Sequence, residues 1–316
     1  MGVNSDNLLI FKYMFDTIIV GAGPTGMAAA IYAARRMMKA LVISKNIGGQ
    51  VIWASDIKNY PGIEFVGGVD LINKMSQQVK DLGVDIKIDE VKKISKNDDG
   101  SFLVEAGKDS YSVKTIIIAM GLSPKQLDLD RENELTGRGI SYCANCDGPL
   151  FKGKNVAVAG GGNAALDAAE VMSKIASKVY LIYRKPQLKA FGSLISAVKD
   201  KSNVEIILSS EISQIIGEEK LEKLKIISNV SQKSRELDVD GLFVEIGHEP
   251  KTDIVANLVE RDTLGQVVVD LSGKTSCDGV FAAGDVTQSE FKQIIIGCGQ
   301  GAVAALSAYK YLQLKK

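Results

Sequence analysis

The sequence predicts an α/β chain with two Rossmann-like dinucleotide-binding domains, the second inserted into a discontinuous first. Three observations predict this. Two stretches, "FDTIIVGAGPTGMAAAIYAARR" from Phe15 and "KNVAVAGGGNAALDAAEVMSK" from Lys154, share one pattern: a β-branched run, a glycine-rich turn and an alanine-rich segment of helical character. Both turns keep GxGxx(G/A) spacing, with Gly21, Gly23 and Gly26 in the first and Gly160, Gly162 and Ala165 in the second. The second copy is bracketed by "GLSPK" and "GHEPKT", whose Gly and Pro residues mark linkers between domains.

Composition sets the outer limits. A chain of 316 residues, 46% of them hydrophobic, supplies about two domains with cores of their own. Lys+Arg and Asp+Glu each number 38, so no polyanionic partner is indicated and nucleic acid is not an expected ligand. No apolar run approaches the roughly 20 residues that span a bilayer, so no membrane segment is expected. The opening "MGVNSDNLLIFKYM" lacks a basic leader and a cleavage site, and Asp6 stands where a myristoylation signal after Gly2 wants Ser or Thr. Four cysteines in so long a chain make no disulfide scaffold, and a reducing cytoplasm is the expected location.

Along the chain, each glycine of a dinucleotide turn has its own task. The first allows the tight turn, the second lets the backbone approach a pyrophosphate, and the third permits close helix–strand packing. Pro24 and Thr25 in the first turn, and Asn163 and Ala164 in the second, open the helices whose N–H groups then face the phosphates. The next apolar runs, "KALVISKN" and "SKVYLIYRK", bring Ser44 and Tyr183 to the adenosine ribose, and neither is the acid of a simple NAD or FAD site. Arg184, Lys185 and Lys189 cluster after the second run. These cations suit a 2′-phosphate, which favours NADPH over NADH; the rival reading is a solvated basic face. Further strands are expected at "SFLVEAG", "KTIIIAMG", "LEKLKIISN" and "DGLFVEIGHEP", and a closing helix over 297–312. The domain limits read as 1–123, 124–247 and 248–316, with the first and last pieces forming one domain.

Cys143-Ala144-Asn145-Cys146 is a CxxC, a spacing at which one sulfur attacks and the other resolves a mixed disulfide. Two rival readings are half a zinc site and a pair of inert buried thiols. Zinc wants four ligands, and the chain has no second CxxC and one histidine, His248, so no metal is expected. Asp147, next to the pair, reads either as an acid–base group for the thiols or as a turn residue before Gly148-Pro149. Cys277, Cys298 and His248 read as structural or linker residues.

Several stretches together resemble the low-molecular-weight thioredoxin reductases and the C-terminal part of alkyl hydroperoxide reductase flavoproteins. They are "VGAGPTGMAAAIYAAR", "GGQ" at 48–50, "NYPG" at 59–62, "AMG" at 119–121, "CANCDGPLFKGK", "GGGNAALDAA", and "FAAGDV" followed by "FKQIIIGCGQGAVAA". The resemblance implies FAD in the discontinuous domain, with Gly21 to Gly26 on its pyrophosphate and Ser44, Gly49, Gln50, Asn59 and Gly121 close to it. Gly284 and Asp285 would bind the ribityl-pyrophosphate region, and Lys292, Gln293 and Ile294 would line the flavin. The inserted domain would bind NAD(P)H at the second turn. Electrons would pass through FAD to Cys143/Cys146, with Cys146 facing the flavin and Cys143 attacking the partner, while the inserted domain rotates on its two linkers. The implied protein is a cytoplasmic homodimer acting on a separate thioredoxin or glutaredoxin-like disulfide protein. Tyr183-Arg184-Lys185 replaces the His-Arg-Arg of the thioredoxin reductase pattern, Lys189 replaces an Arg, and Ala164 replaces the usual Ser. These departures keep charge without bidentate Arg geometry. NADH, or a non-nicotinamide donor, is therefore the alternative to NADPH, and a glutaredoxin-like protein feeding a peroxiredoxin the alternative to thioredoxin.

Overall fold

The computed structural model describes residues 14–54 and 57–315, so the opening segment with Gly2 and Asp6 lies outside the described residues. Two compact units make up the chain: Met1–Ser123 with Pro250–Lys316, and Pro124–Glu249. The first unit begins with β1 (Met14–Ala22), α1 (Pro24–Arg35), β2 (Ala40–Ile47), α2 (Gly68–Asp81) and β3 (Asp85–Ile88). It continues through β4 (Val91–Lys96), β5 (Phe102–Ala106) and β6 (Asp109–Ile118).

After β7 (Ser123–Pro124) the second unit contains α3 (Glu132–Leu135), β8 (Ile140–Ser141), α4 (Ala144–Asp147), β9 (Asn155–Ala159) and α5 (Asn163–Ser173). Then come β10 (Lys178–Ile182), α6 (Gly192–Lys199), β11 (Val204–Ile207), a meander of β12 (Ser210–Ile216), β13 (Lys223–Ser228) and β14 (Ser234–Asp238), and β15 (Gly241–Val244). β16 (His248–Glu249) pairs with β7. The chain closes the first unit with β17 (Val280–Ala282) and α7 (Ile294–Leu314).

In the first unit the sheet order is β3-β2-β1-β6-β5-β4, with β17 also on β6. β1 is parallel to β2 and β6, whereas β4, β5 and β6 pair antiparallel. Period-2 alternation explains why both faces of β1 are apolar. Ile19 joins the buried cluster with α1, α2 and α7, while Ile18 and Val20 join the cluster beneath β4 and β5. α1 and α7 meet through small residues: Ala29, Ala30 and Ala33 on one, and Gly301, Ala304 and Ala308 on the other, are all buried. A Cβ on Gly301 would stand 2.2 Å from Thr25 O, so the crossing needs glycine there.

The helix expected over 297–312 is longer, beginning at Ile294 and ending at Leu314. Ile294-Ile295-Ile296 is β-branched and has low intrinsic helix preference. The extended Gln293 nevertheless starts the helix, since its carbonyl accepts from Gly297 N–H at 2.9 Å.

The second unit is built on a parallel sheet of order β11-β10-β9-β15-β8, with the β12-β13-β14 meander as a separate antiparallel sheet. Here too β9 alternates. Val156 and Val158 pack with α5, and Ala157 and Ala159 with the meander side. Glycine turn, helix and next strand thus recur as a βαβ unit, with the turn at the carboxyl ends of the parallel strands where such folds take ligands.

Candidate active site

In the first unit, Gly21 has φ +114, and a Cβ there would lie 2.2 Å from Ala119 O. Gly26 is just as tightly placed, its Cβ position being 1.8 Å from Gly21 O. Gly23 differs. A Cβ on it would find nothing nearer than Gly48 O at 3.9 Å. It is the N-cap of α1 and offers no side-chain cap, with Pro24 following at the start of the helix, so the first-turn N–H groups face that open space.

Several expected residues gather around this turn. Gly49 lies by Gly23, its Cβ position 3.9 Å from Gly23 Cα. Gln50 Nε2 donates to Leu122 O at 2.8 Å, next to Gly121, whose φ is +63. Asn59 Nδ2 donates to Gln293 Oε1 at 3.0 Å, tying the "NYPG" loop to the start of α7. Thr25 faces the "GDV" turn: a Cβ on Gly284 would lie 2.4 Å from Thr25 Oγ1. Lys292 Nζ donates to Asp285 O at 3.0 Å and Thr287 O at 2.7 Å, so its ammonium braces the same turn just before Gln293 and Ile294. Burial pushes the Lys292 ammonium below its ordinary pKa. Ser44 stands half-buried on β2, and its carbonyl accepts from Asp89 N–H at 2.9 Å.

One residue of this group escaped the sequence reading. Gln300 Oε1 accepts from Gly284 N–H at 2.9 Å, and its Nε2 donates to Ser289 Oγ at 3.1 Å. The only signal was a lone amide among the glycines and alanines of "GCGQGAVAA".

The second turn repeats the design. Gly160 has φ +143, and a Cβ on it would meet Glu245 O at 2.3 Å. Ala165 replaces the third glycine and is fully buried. Gly162 is again the open position and the uncapped N-cap, now of α5. The extra Gly161 makes room for Tyr183, since a Cβ there would stand 2.3 Å from the phenol ring. The following loop returns over the turn, with Lys189 N–H donating to Gly161 O at 2.7 Å and Phe191 N–H to Asn163 Oδ1 at 2.9 Å. Ala164, Arg184, Lys185 and Lys189 are exposed.

Cys143 and Cys146 are joined in a disulfide around the short helix α4. Cys143 Sγ accepts from Cys146 N–H at 3.1 Å, and of the two residues Cys146 is the more exposed. Ser141 Oγ accepts from Cys143 N–H at 3.0 Å and donates to Asp147 Oδ2 at 2.6 Å. Tyr142 anchors the segment from the other side, donating to Glu132 Oε1 at 2.8 Å; burial first and that hydrogen bond second push its phenol up to about 12. Cys298 is buried, donating to Pro24 O at 3.7 Å, and Cys277 is half-buried. Among the described residues, no group of three or more His, Cys, Asp or Glu could hold a metal ion, and no helix is long and apolar enough to cross a membrane.

Both turns fit a pyrophosphate. In each, the middle glycine of the spacing is the helix N-cap with no side-chain cap, and a Cβ there would meet nothing closer than 3.9 Å, while the first and third positions bring strand and helix together. The vicinal dithiol has the spacing for exchange with another disulfide.

A family model for pyridine nucleotide-disulphide oxidoreductases matches residues 15–301. The thioredoxin reductase of Listeria monocytogenes is 35% identical over 304 residues, covering 95% of this chain and 94% of the relative. An alkyl hydroperoxide reductase component of Pseudomonas putida is 38% identical over 305 residues, covering 95% of this chain, which in turn spans 59% of that relative's length. Among solved structures, the thioredoxin reductase of Lactococcus lactis superposes with a TM-score of 0.84 at 32% identity, covering 95% of this chain and 99% of that one. A family match running from the first strand into the last helix, on a chain that carries both turns and the dithiol, places it in the pyridine nucleotide-disulphide oxidoreductase family as a flavoprotein disulfide reductase using FAD and a nicotinamide nucleotide.

Proposed function

We propose that the protein uses NADPH to reduce a thioredoxin, with FAD held by the first unit and the nicotinamide nucleotide by the second. The observation that carries this reading is the Cys143–Cys146 disulfide, followed directly in sequence by Asp147, whose carboxylate is held by Ser141 Oγ. When bound, the nucleotide supplies a hydride and FAD relays its two electrons. Around FAD, Gly21, Gly23, Pro24, Thr25 and Gly26 would hold the pyrophosphate. Ser44, Gly49, Gln50, Asn59, Gly121, Gly284, Asp285, Lys292, Gln293 and Ile294 would complete the site; the hydrogen bonds of Gln50, Asn59 and Lys292 support that set by linking its separate loops.

In the reduced protein, the Cys143 thiolate attacks the partner disulfide, forming a mixed disulfide and expelling one partner thiolate. Cys146 then attacks the Cys143 sulfur, restoring the Cys143–Cys146 bond and releasing the second partner thiolate. Asp147 takes the proton from a thiol and returns it to a departing thiolate, so the dithiol's two protons end on the partner.

Preference for NADPH is supported by Arg184, Lys185 and Lys189, exposed beyond β10, with Gly160, Gly162, Asn163, Ala164 and Ala165 forming the phosphate turn. A homodimer in the cytoplasm is part of the proposal, on the family resemblance. The test is anaerobic titration of the FAD-loaded protein with NADPH and with NADH, followed by addition of a thioredoxin. NADPH should bleach the flavin at lower concentration than NADH. Cys143→Ser should leave bleaching intact and abolish thioredoxin reduction. Reduction of a glutaredoxin-like protein but of no thioredoxin would replace the partner assignment, and bleaching by neither nucleotide would replace the donor.

A further inference from the structure

We propose that Ser141 is a positioning residue that holds the Asp147 carboxylate ready for proton transfer at the Cys143/Cys146 pair. This rests on the reading of Asp147 as the acid–base group. Ser141 ends β8, whose partner is β15 with Phe243 opposite Ser141, and it is only 4% exposed. Its hydroxyl is therefore fixed by the sheet, while Asp147 sits half-buried at the end of a four-residue helix that has little rigidity of its own.

A serine hydroxyl has one proton to donate and two lone pairs to receive. The proton goes to Asp147 Oδ2 at 2.6 Å, a charge-assisted length, and a lone pair accepts Cys143 N–H at 3.0 Å. Cys143 O lies farther from the hydroxyl, at 3.3 Å, and itself accepts from Asp147 N–H at 3.2 Å. One buried oxygen thus clamps both ends of the CxxC turn, the backbone N–H of the nucleophile and the carboxylate just after the resolving cysteine. With Oδ2 engaged, Oδ1 is the oxygen left for the thiol proton.

The clamp has a chemical purpose. Proton transfer requires the donor and acceptor to be within hydrogen-bond reach, and a carboxylate free to change rotamer spends part of its time out of reach. The proton Asp147 carries comes from one thiol and leaves on a partner thiolate. Ser141 keeps its own proton throughout.

The experiment is a double-mutant cycle on the FAD-loaded protein, read as turnover with a thioredoxin and as flavin bleaching by nucleotide. Asp147→Asn should slow thioredoxin reduction by about a hundredfold, as loss of an acid–base group does. Ser141→Ala should slow it by about tenfold in kcat, with KM for thioredoxin unchanged, and Ser141→Thr, which keeps the hydroxyl, should recover most of the rate. Added to Asp147→Asn, Ser141→Ala should have no further effect. Bleaching by nucleotide should still occur in the parent and in all four variants, which serves as the check on folding. If Ser141→Ala slows the Asp147→Asn protein by the same factor as the parent, or leaves the parent unchanged, the clamp is structural only and the proposal is overturned. If Asp147→Asn keeps the full rate, the acid–base reading itself has failed, a result distinct from the first two.

Discussion

Glu245 follows β15 at the carboxyl end of the second unit's parallel sheet, where its N–H donates to Ala159 O at 2.8 Å. Burial first, and the charge of Asp167 second, push its carboxyl from 4.5 up to about 7. An acid whose folded pKa lies above its unfolded one binds more protons when folded, so stability falls as pH rises through that window and stays lowered above it. Asp167 is raised as well, by burial first and the Glu170 charge second. With the Glu245 side chain only half-buried, the penalty above neutrality is on the order of 1–2 kcal/mol. Glu245→Gln should therefore raise the melting temperature at pH 8 by roughly 2–6 °C and leave it unchanged near pH 4.5, as read by calorimetry. An equal shift at both pH values would mean that the charge is not the cause. Nothing in "DGLFVEIGHEP" separates this glutamate from a solvated one, because its environment is set by α5 and the turn after β9, distant in sequence. Ser141 was hidden in the same way: its contact with Asp147 depends on where β8 ends, which no residue pattern encodes.

At the scale of elements, the strand–turn–helix units were legible because each glycine does a local backbone task. The tight and open positions make opposite predictions. A Cβ at Gly26 would stand 1.8 Å from Gly21 O, a backbone atom that cannot swing aside, so Gly26→Ala should cost about 3 kcal/mol and release FAD through lost packing of α1 on β1. Gly23 has φ −78, a conformation any residue adopts, and open space where its Cβ would be. Gly23→Ala should keep the melting temperature of the FAD-free protein and weaken only FAD affinity, measured by flavin fluorescence. Equal destabilisation of both FAD-free variants would show that Gly23 is a packing glycine. The start of α7 was less legible. Ile294 to Ile296 read as strand formers, and the helix exists there because its small-residue face packs along α1, a tertiary effect that outweighs local preference.

For the whole molecule, the Gly- and Pro-bearing crossings were legible as punctuation, while the three-stranded meander between β11 and β15 was visible only in part, as "LEKLKIISN". The two units differ in how they depend on the order of the chain. The buried clusters of the second unit, with the side chains packed against them, draw on residues from Leu127 to Val244. Phe151, Phe243 and Leu166 sit on one face of its parallel sheet and Leu224, Ile226 and Leu242 on the other, which is a complete two-sided core. The first unit has no such independence. β17 completes its sheet along Ile116 to Ile118, and α7 packs the full length of α1, yet both follow the second unit in sequence. A piece covering 124–249 should therefore fold alone, with one cooperative thermal transition followed by circular dichroism. A piece covering 1–249 should show that same transition but bind no FAD, because Gln293, Ile294 and Gln300 are gone and the apolar faces of α1 and β6 are left uncovered. Supplying 250–316 as a separate chain should restore FAD binding if the discontinuous unit is held by those contacts, whereas an unfolded 124–249 piece would show that the second unit borrows its stability from the first.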